Sequence, residues 1–515
     1  MIKTFQHLLR LSSTGPSCGK VLSSCGGWVP PKNTRYALQG TSTNFEAVRA
    51  YSDKWDLDVE SLLKDEEYEE FSERIFRLPQ HGHNVLVIQP FIDYQTNWKD
   101  PNLKNTTPEL QLEEAEALIK TLSRWKVSGS LLLGVPSYNR SNFFSYGQIE
   151  RMKDILNKTK NISAVFVSVN ILKARQIINL ELELDVPVYD RYTIVIQIFK
   201  QHAKTKESKL QVAMAELPYL RQCVKGFPLG LSDRLALGSV VGGLGRVSPE
   251  KRKDLLQERE LKLKKAIISL RKHRERLRST QKISSYPIVA VMGYTNAGKT
   301  SLIKALTSKD SLQPKNQLFA TLDVTKHEGL LPCKLKVLYI DTVGFITNIP
   351  TKLIESFTAT LEDAMCSDVI IHVWDVSNPD FVLQQEHVMN TLKKLQFGEN
   401  LEQKIFTVAN KIDRIAEDKL LELKRSIPQN NTFFVSTKNG QGMEEMLDNL
   451  QKKIIAATGR ICMKIKVKTG GNEELWIRKN FPVVSIELGN DSEHTTFTVI
   501  VTKAQIDTFK YNFLK

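Results

Sequence analysis

The residues best suited to chemistry begin at Gly293-Tyr294-Thr295-Asn296-Ala297-Gly298-Lys299-Thr300, which fits G-x-x-x-x-G-K-[ST]. An apolar run, 288–292, precedes it, and 301–306 reads as helix. Glycines at this spacing let the backbone wrap tightly, so that its N–H groups point at phosphate oxygens. Lys299 would neutralise charge between the β- and γ-phosphates, and the Thr300 hydroxyl would ligate Mg2+. Ser301 belongs to the same cradle.

Three more clusters follow in order. Asp341-Thr342-Val343-Gly344 ends an apolar strand. Asp341 suits an outer-shell Mg2+ ligand, and the Gly344 N–H a γ-phosphate. Asn410-Lys411-Ile412-Asp413 ends another. A carboxylate there accepts from guanine N1–H and the 2-amino group. Adenine lacks that donor pair, so Asp413 predicts GTP rather than ATP. Ser436-Thr437-Lys438 would brace the base. Between the first two clusters lies Phe319-Ala320-Thr321-Leu322-Asp323. A γ-phosphate sensor needs a threonine whose hydroxyl reaches the metal. Thr321 is the choice and Thr325 the alternative. Thr300, Thr321 and Asp341 are thus the expected metal group, and Lys299, Thr321 and Gly344 the expected catalytic group. Phe345 stands where Ras-type GTPases carry a water-orienting glutamine, so intrinsic hydrolysis is expected to be slow.

These loops need strands whose C-terminal ends line one edge of a sheet. Apolar runs at 288–292, 337–340, 369–373, 405–408 and 433–435 supply them, so 286–458 reads as an α/β GTPase domain. Upstream, runs at 85–88, 131–135, 164–169 and 186–188 alternate with helical stretches, and Thr107-Pro108-Glu109 opens one of these. That predicts a small parallel α/β domain over 84–198, preceded by a linker or docking helix at 46–83. Residues 199–285 read as a helical hairpin. Leu256, Leu263, Leu270 and Leu277 recur every seven residues, facing Leu210, Ala213, Leu217 and Leu220. The connection, Gly226 to Gly245, holds six glycines. Residues 459–515 read as a small α+β tail domain of three strands and a short helix.

The chain has 515 residues and a formal net charge of +15, too long for one domain and basic enough to favour a polyanionic partner. Nucleic acid is the first candidate and an anionic membrane surface the second. Between Lys251 and Lys282 there are thirteen Lys/Arg against four acids, a surplus of nine, which places much of that charge on the hairpin. No apolar run is long enough to span a membrane. The six cysteines form no C-x-x-C pair, which argues against a disulfide framework or zinc site. The first 45 residues hold five Lys/Arg and no acid, with Ile2, Phe5 and Leu9 opposite Lys3, His7 and Arg10. This predicts a mitochondrial targeting segment at 1–45 and a matrix location.

The strings at 293–300, 318–323, 341–346 and 410–413 together resemble the HflX family of ribosome-binding GTPases. Val188-Tyr189-Asp190-Arg191 and the 209–220 segment are also similar to that family. The resemblance covers about 84–458. It implies a protein, here expected to be monomeric, that binds the large ribosomal subunit and its rRNA. In this leader-bearing chain that would be the mitochondrial large subunit, and the implied task is ribosome dissociation or large-subunit maturation. Two departures are visible. Gly242-Gly243-Leu244-Gly245 is followed by Arg246-Val247-Ser248-Pro249-Glu250, without the family's later glycines. The N-terminal Tyr-x-Gly-x-Gly-Lys survives only as Phe144-Ser145-Tyr146-Gly147-Gln148.

Overall fold

The computed structural model describes residues 60, 62–76, 82–92, 106–159, 161–226, 249–281, 286–307, 317–346, 364–394, 401–427, 431–488 and 493–513. The expected targeting segment at 1–45 and the glycine-rich connection at 227–245 lie outside them.

The first described helix, α1 (Glu66–Phe76), falls in the stretch expected to be a linker or docking helix. The N-terminal sheet then alternates strand and helix: β1 (Asn84–Ile92), α2 (Pro108–Thr121), β2 (Lys126–Val135), α3 (Tyr146–Lys158), β3 (Ala164–Val167), α4 (Ala174–Leu184) and β4 (Val188–Asp190). Its order is β2-β1-β3-β4 and all pairs are parallel. Val85 to Ile88 are fully buried, as in a strand covered on both faces. Thr107 caps α2 by accepting from the Leu110 N–H, with Pro108 at the first helical position. The fourth strand lies at Val188–Asp190, not at 186–188. Pro187 has no N–H to give to the ladder and contributes only its carbonyl, to Val165 N.

Asp190 ends β4 and caps α5 (Arg191–His202). The hairpin follows as α6 (Lys206–Gly226) and α7 (Pro249–Gln281). Part of the expected seam is buried, with Leu210, Ala213, Leu217 and Leu220 on α6 and Leu256 and Leu263 on α7, while Leu270 is half-buried and the Leu277 side chain lies outside the described ones. Helix α1 docks on both arms. Tyr68 and Ser72 donate to Glu216, while Arg259 pairs with Asp65 at 2.8 Å and lies 3.6 Å over the Tyr68 ring.

The central sheet uses β5 (Ile288–Gly293), β6 (Thr325–Leu330), β7 (Lys336–Asp341), β8 (Val369–Asp375), β9 (Ile405–Asn410) and β10 (Thr432–Phe434). The order is β10-β9-β8-β5-β7-β6, parallel except for β6. The order reverses at β5, and the loop after β5 therefore opens into the crevice where such sheets take ligands. Flanking helices are α8 (Lys299–Thr307), α9 (Phe381–Lys394), α10 (Glu417–Ser426) and α11 (Met443–Ala457). The sequence pattern did not predict β6. Only Gly329 on it is buried, so it is a polar edge strand without apolar alternation. The C-terminal sheet is antiparallel, β11 (Ile461–Lys468), β13 (His494–Val501) and β12 (Val483–Leu488) in that spatial order, with α12 (Asn472–Asn480) and α13 (Lys503–Phe513). Helix α12 was also unexpected. Ile500 of this sheet is buried in the same core as Val289, Leu302 and Val337 of the central sheet. Among the described residues, no helix is long and apolar enough to cross a membrane.

Candidate nucleotide site

The loop from Gly293 to Thr300 leaves β5 and enters α8. Gly298 has φ 96°, and a Cβ there would lie 2.3 Å from Asn410 Nδ2, so no other residue fits. Lys299 folds back over the loop, donating to the Tyr294 carbonyl at 2.8 Å and the Gly293 carbonyl at 3.3 Å. Burial pulls its ammonium down to about 8, against the attraction of Asp341. A phosphate in this cradle would restore full charge.

Three hydroxyl and carboxyl groups from three segments converge beside Lys299. Asp341 Oδ2 accepts from Thr300 Oγ1 at 2.7 Å and from Thr321 Oγ1 at 3.1 Å, and the two hydroxyls are 3.3 Å apart. Asp341 Oδ1 is buried without a hydrogen-bond partner. Burial raises the Asp341 carboxyl above its ordinary range, with Lys299 opposing. A carboxylate with one buried lone oxygen, flanked by two hydroxyls, is a donor set that fits a hard divalent cation through oxygen and water. The alternative Thr325 is not part of this group; its hydroxyl meets His327 Nε2 at 2.8 Å on β6. Gly344 closes the cavity that Thr295, Lys299 and Thr321 also line. A Cβ on Gly344 would lie 2.8 Å from Thr295 Cγ2 and 3.0 Å from Lys299 Nζ.

Phe345 is held by its backbone. Its N–H donates to the Gly293 carbonyl at 3.1 Å and its carbonyl accepts from Thr295 N at 2.6 Å. The ring is 7% exposed and packs rather than presenting a polar group.

The remaining clusters meet the phosphate loop from β9 and from the segment after β10 rather than lining that cavity. Asn410 Nδ2 donates to the Ala297 carbonyl at 3.0 Å, and its Oδ1 accepts from Thr437 N at 3.3 Å. Lys411, in the left-handed region at φ 68°, reaches the Asn296 carbonyl at 2.7 Å. Ser436 Oγ donates to Asp413 Oδ1 at 2.7 Å. Lys438 is exposed.

Sequence reasoning missed several neighbours. Asp375, at the end of β8, pairs with Lys411 at 2.6 Å. Its signal was available: it ends an apolar strand at the same sheet edge. Glu114 on α2 accepts from the Tyr294 hydroxyl at 2.5 Å and pairs with Arg191. The 317–323 segment is held by the N-terminal elements. Thr121 Oγ1 accepts from Leu318 N, His202 Nδ1 meets the Phe319 carbonyl at 2.7 Å, and Asp323 accepts from Lys204 N and Thr205 Oγ1. No spacing rule reveals such cross-sheet partners.

A family model described as 50S ribosome-binding GTPase matches residues 288–411. Two others, GTP-binding GTPase Middle Region and GTP-binding GTPase N-terminal, match 202–281 and 109–200. The Xenopus laevis protein named GTP-binding protein 6 is 35% identical over 471 residues, 91% of this chain and 86% of its own length. GTPase HflX of Lacrimispora saccharolytica is 34% identical over 340 residues, 66% of this chain and 78% of its own. A solved GTP-binding protein from Sulfolobus solfataricus, in complex with GDP, aligns over 72% of this chain and 99% of its own with 22% identity and a TM-score of 0.39.

Proposed function

The chain belongs to the HflX family of GTPases, and from that premise we propose a Mg2+-dependent, ribosome-associated GTP switch acting on the mitochondrial large ribosomal subunit. The observation that carries the catalytic half is the meeting of Thr300, Thr321 and Asp341 beside Lys299. In this reading residues 293–301 hold the phosphates, with Lys299 on the β- and γ-phosphates. Thr300, Thr321 and Asp341 would hold the metal, and the Gly344 N–H would meet the γ-phosphate. When bound, Mg2+ neutralises charge between the β- and γ-phosphates. Asn410, Lys411, Asp413 and Ser436 to Lys438 receive the base, with Asp413 selecting guanine. An Asp413→Asn change should weaken GTP binding by at least about a hundredfold and recover affinity for xanthosine triphosphate, whose 2-oxo group accepts from an amide.

Hydrolysis is slow in the isolated protein because Phe345 offers no group to orient water, and the ribosome supplies what is missing. A saturated isolated turnover that neither ribosomal subunits nor Phe345→Ala alters would sink this point. The basic α7 supplies the ribosomal contact, and the acid-free first 45 residues support the mitochondrial location. Sedimentation with mitochondrial ribosomal subunits under GTP, GDP and a non-hydrolysable analogue tests the placement. Co-migration with the large subunit under GTP and the analogue is expected, and migration with none removes the ribosomal reading while leaving the GTPase intact.

Phe345 also favours a second reading, an RNA-docking assembly scaffold in which hydrolysis only triggers release. Subunit splitting that persists with the non-hydrolysable analogue would support it. Splitting that needs turnover would support a recycling enzyme.

A further inference from the structure

On the face where the β6–β7 turn meets the C-terminal sheet there is a cleft of about 770 Å³, inside the size range of specific ligand sites. Five cations line it: Lys334 and Lys336 from the turn and β7, Arg460 from the residue before β11, and Arg478 and Lys479 from α12. Among the described residues, no Asp or Glu is in its wall. Arg460 is 7% exposed, a buried cation in the wall of the cleft rather than one on open surface. Burial disfavours its charge, and Asp368 acts electrostatically in the other direction. Arg478 is oriented by Glu474 through two bonds of 2.9 and 2.7 Å and lies 5.2 Å over the Phe497 ring.

Two further features argue against a plain solvated surface. Lys334 is in the left-handed region at φ 59°, at the tip of a turn closed by Lys334 N to the Leu331 carbonyl. Glycine or asparagine would hold that conformation more easily, so a lysine there carries backbone strain and keeps its charge at the cleft. Tyr286, half exposed at the rim, has the Lys336 ammonium 6.0 Å from its ring centroid. An aromatic face beside a cation is what an unstacked base takes, while the cations take its phosphates. The floor is apolar, with Leu335 and Phe481 buried. Arg478 and Lys479 also suit the negative end of α12, but that accounts for two of the five cations and for none on the other elements.

We propose that this cleft is a second RNA contact, separate from the basic hairpin, binding the phosphodiester backbone of single-stranded or loop RNA with one base on Tyr286. It rests on the ribosomal reading only for which RNA is bound. The C-terminal sheet, whose function the sequence left blank, then has a task. Because Ile500 of that sheet shares the core of the central sheet, the cleft is fixed to the nucleotide-binding body.

The test uses the full chain with a benzophenone-bearing residue at position 286, irradiated with purified large ribosomal subunits and with protein-free ribosomal RNA. Cross-links to RNA are expected in both. The Lys334→Asn/Lys479→Ala variant, which keeps the left-handed turn, should bind that RNA roughly tenfold more weakly. Its log-affinity against log-salt slope should be shallower by about 1.4, from about 0.7 for each of the two single-strand phosphates that are no longer neutralised. Its basal GTP hydrolysis should be unchanged, which shows that it is folded. Cross-links confined to ribosomal protein, competition by poly-glutamate but not RNA, or an unchanged salt slope would overturn the proposal. Failure of the wild type to bind subunits while position 286 still cross-links free RNA would instead overturn the ribosomal reading.

Discussion

The Tyr294 hydroxyl donates to Glu114 at 2.5 Å, so the second residue of the phosphate loop is tied to a helix of the N-terminal sheet. The same carboxylate pairs with Arg191. The loop that would hold nucleotide is therefore braced from outside its own sheet. Tyr294→Phe removes one hydrogen bond to a charged acceptor, worth about 2 kcal/mol. We expect a melting temperature lower by several degrees and faster GDP dissociation, read by thermal scanning and by stopped-flow release of a fluorescent GDP. A variant matching the wild type in both would make the contact incidental.

Asp341 is the only acid in the expected metal group, and its Oδ1 is buried without a hydrogen-bond partner. Asp341→Asn keeps the shape and removes the charge. Groups that hold a metal through an intermediate contact are commonly worth roughly 10- to 100-fold in metal affinity. The Mg2+ concentration needed to slow nucleotide release should rise by about that factor, while nucleotide binding in chelator changes little. An unshifted Mg2+ titration would remove Asp341 from the metal's surroundings.

What could be read beforehand divides along physical lines. The phosphate loop, Asp341, Asn410 and Asp413 were legible because each is a local string at a strand end, where backbone geometry dictates residue type. The choice of Thr321 over Thr325 was open in the sequence, and the structure puts Thr321 at 3.1 Å from Asp341. The first half of the hairpin seam, Leu256 and Leu263, was legible from its seven-residue period. Strand β6 was not, because an edge strand needs no apolar face. The fourth N-terminal strand was displaced by two residues because apolar character alone does not register the missing N–H of Pro187. Asp375 carried the same strand-end signal and was overlooked, whereas Glu114 and His202 were invisible for another reason. Each acts through a partner distant in sequence, and no local propensity encodes that.

Asp190 illustrates a consequence of burial. It caps α5 through Thr193 N and Thr193 Oγ1 and also accepts from Leu172 N, yet it is fully buried. Burial outweighs those bonds and pushes its carboxyl from 3.8 up to about 6. A folded-state value above the unfolded one means that the protonated form is the one favoured by folding. Its contribution is complete below about pH 4 and is lost as pH rises through about 6. Asp190→Asn retains a capping side chain and cannot titrate. The stability difference, wild type minus variant, should fall by about 2 kcal/mol from about pH 4 to about pH 6, measured by denaturant melts. A flat difference across that window would mean that the three hydrogen bonds hold the carboxylate ionised throughout.

Thr321 lies between two residues that the helices hold. The Phe319 carbonyl is bonded to His202 at 2.7 Å, its ring packs edge-on against Phe199 at 4.8 Å, and Asp323 accepts from Thr205 Oγ1 at 2.7 Å and Lys204 N at 2.9 Å. Residues 202–205 lead directly into α6, the first arm of the hairpin. A metal and γ-phosphate that draw Thr321 inwards must therefore pull on the root of α6 or break these bonds. Either way a change of nucleotide state would reach the hairpin through Phe319 and Asp323. Hydrogen exchange over 206–226 should differ between the GTP-analogue and GDP forms of the wild type. Asp323→Ala, which removes two of the bonds without touching the metal group, should reduce that difference at least about twofold while nucleotide affinity changes less than about threefold. An undiminished difference in Asp323→Ala, and likewise in His202→Ala, would rule out this route from the nucleotide to the hairpin.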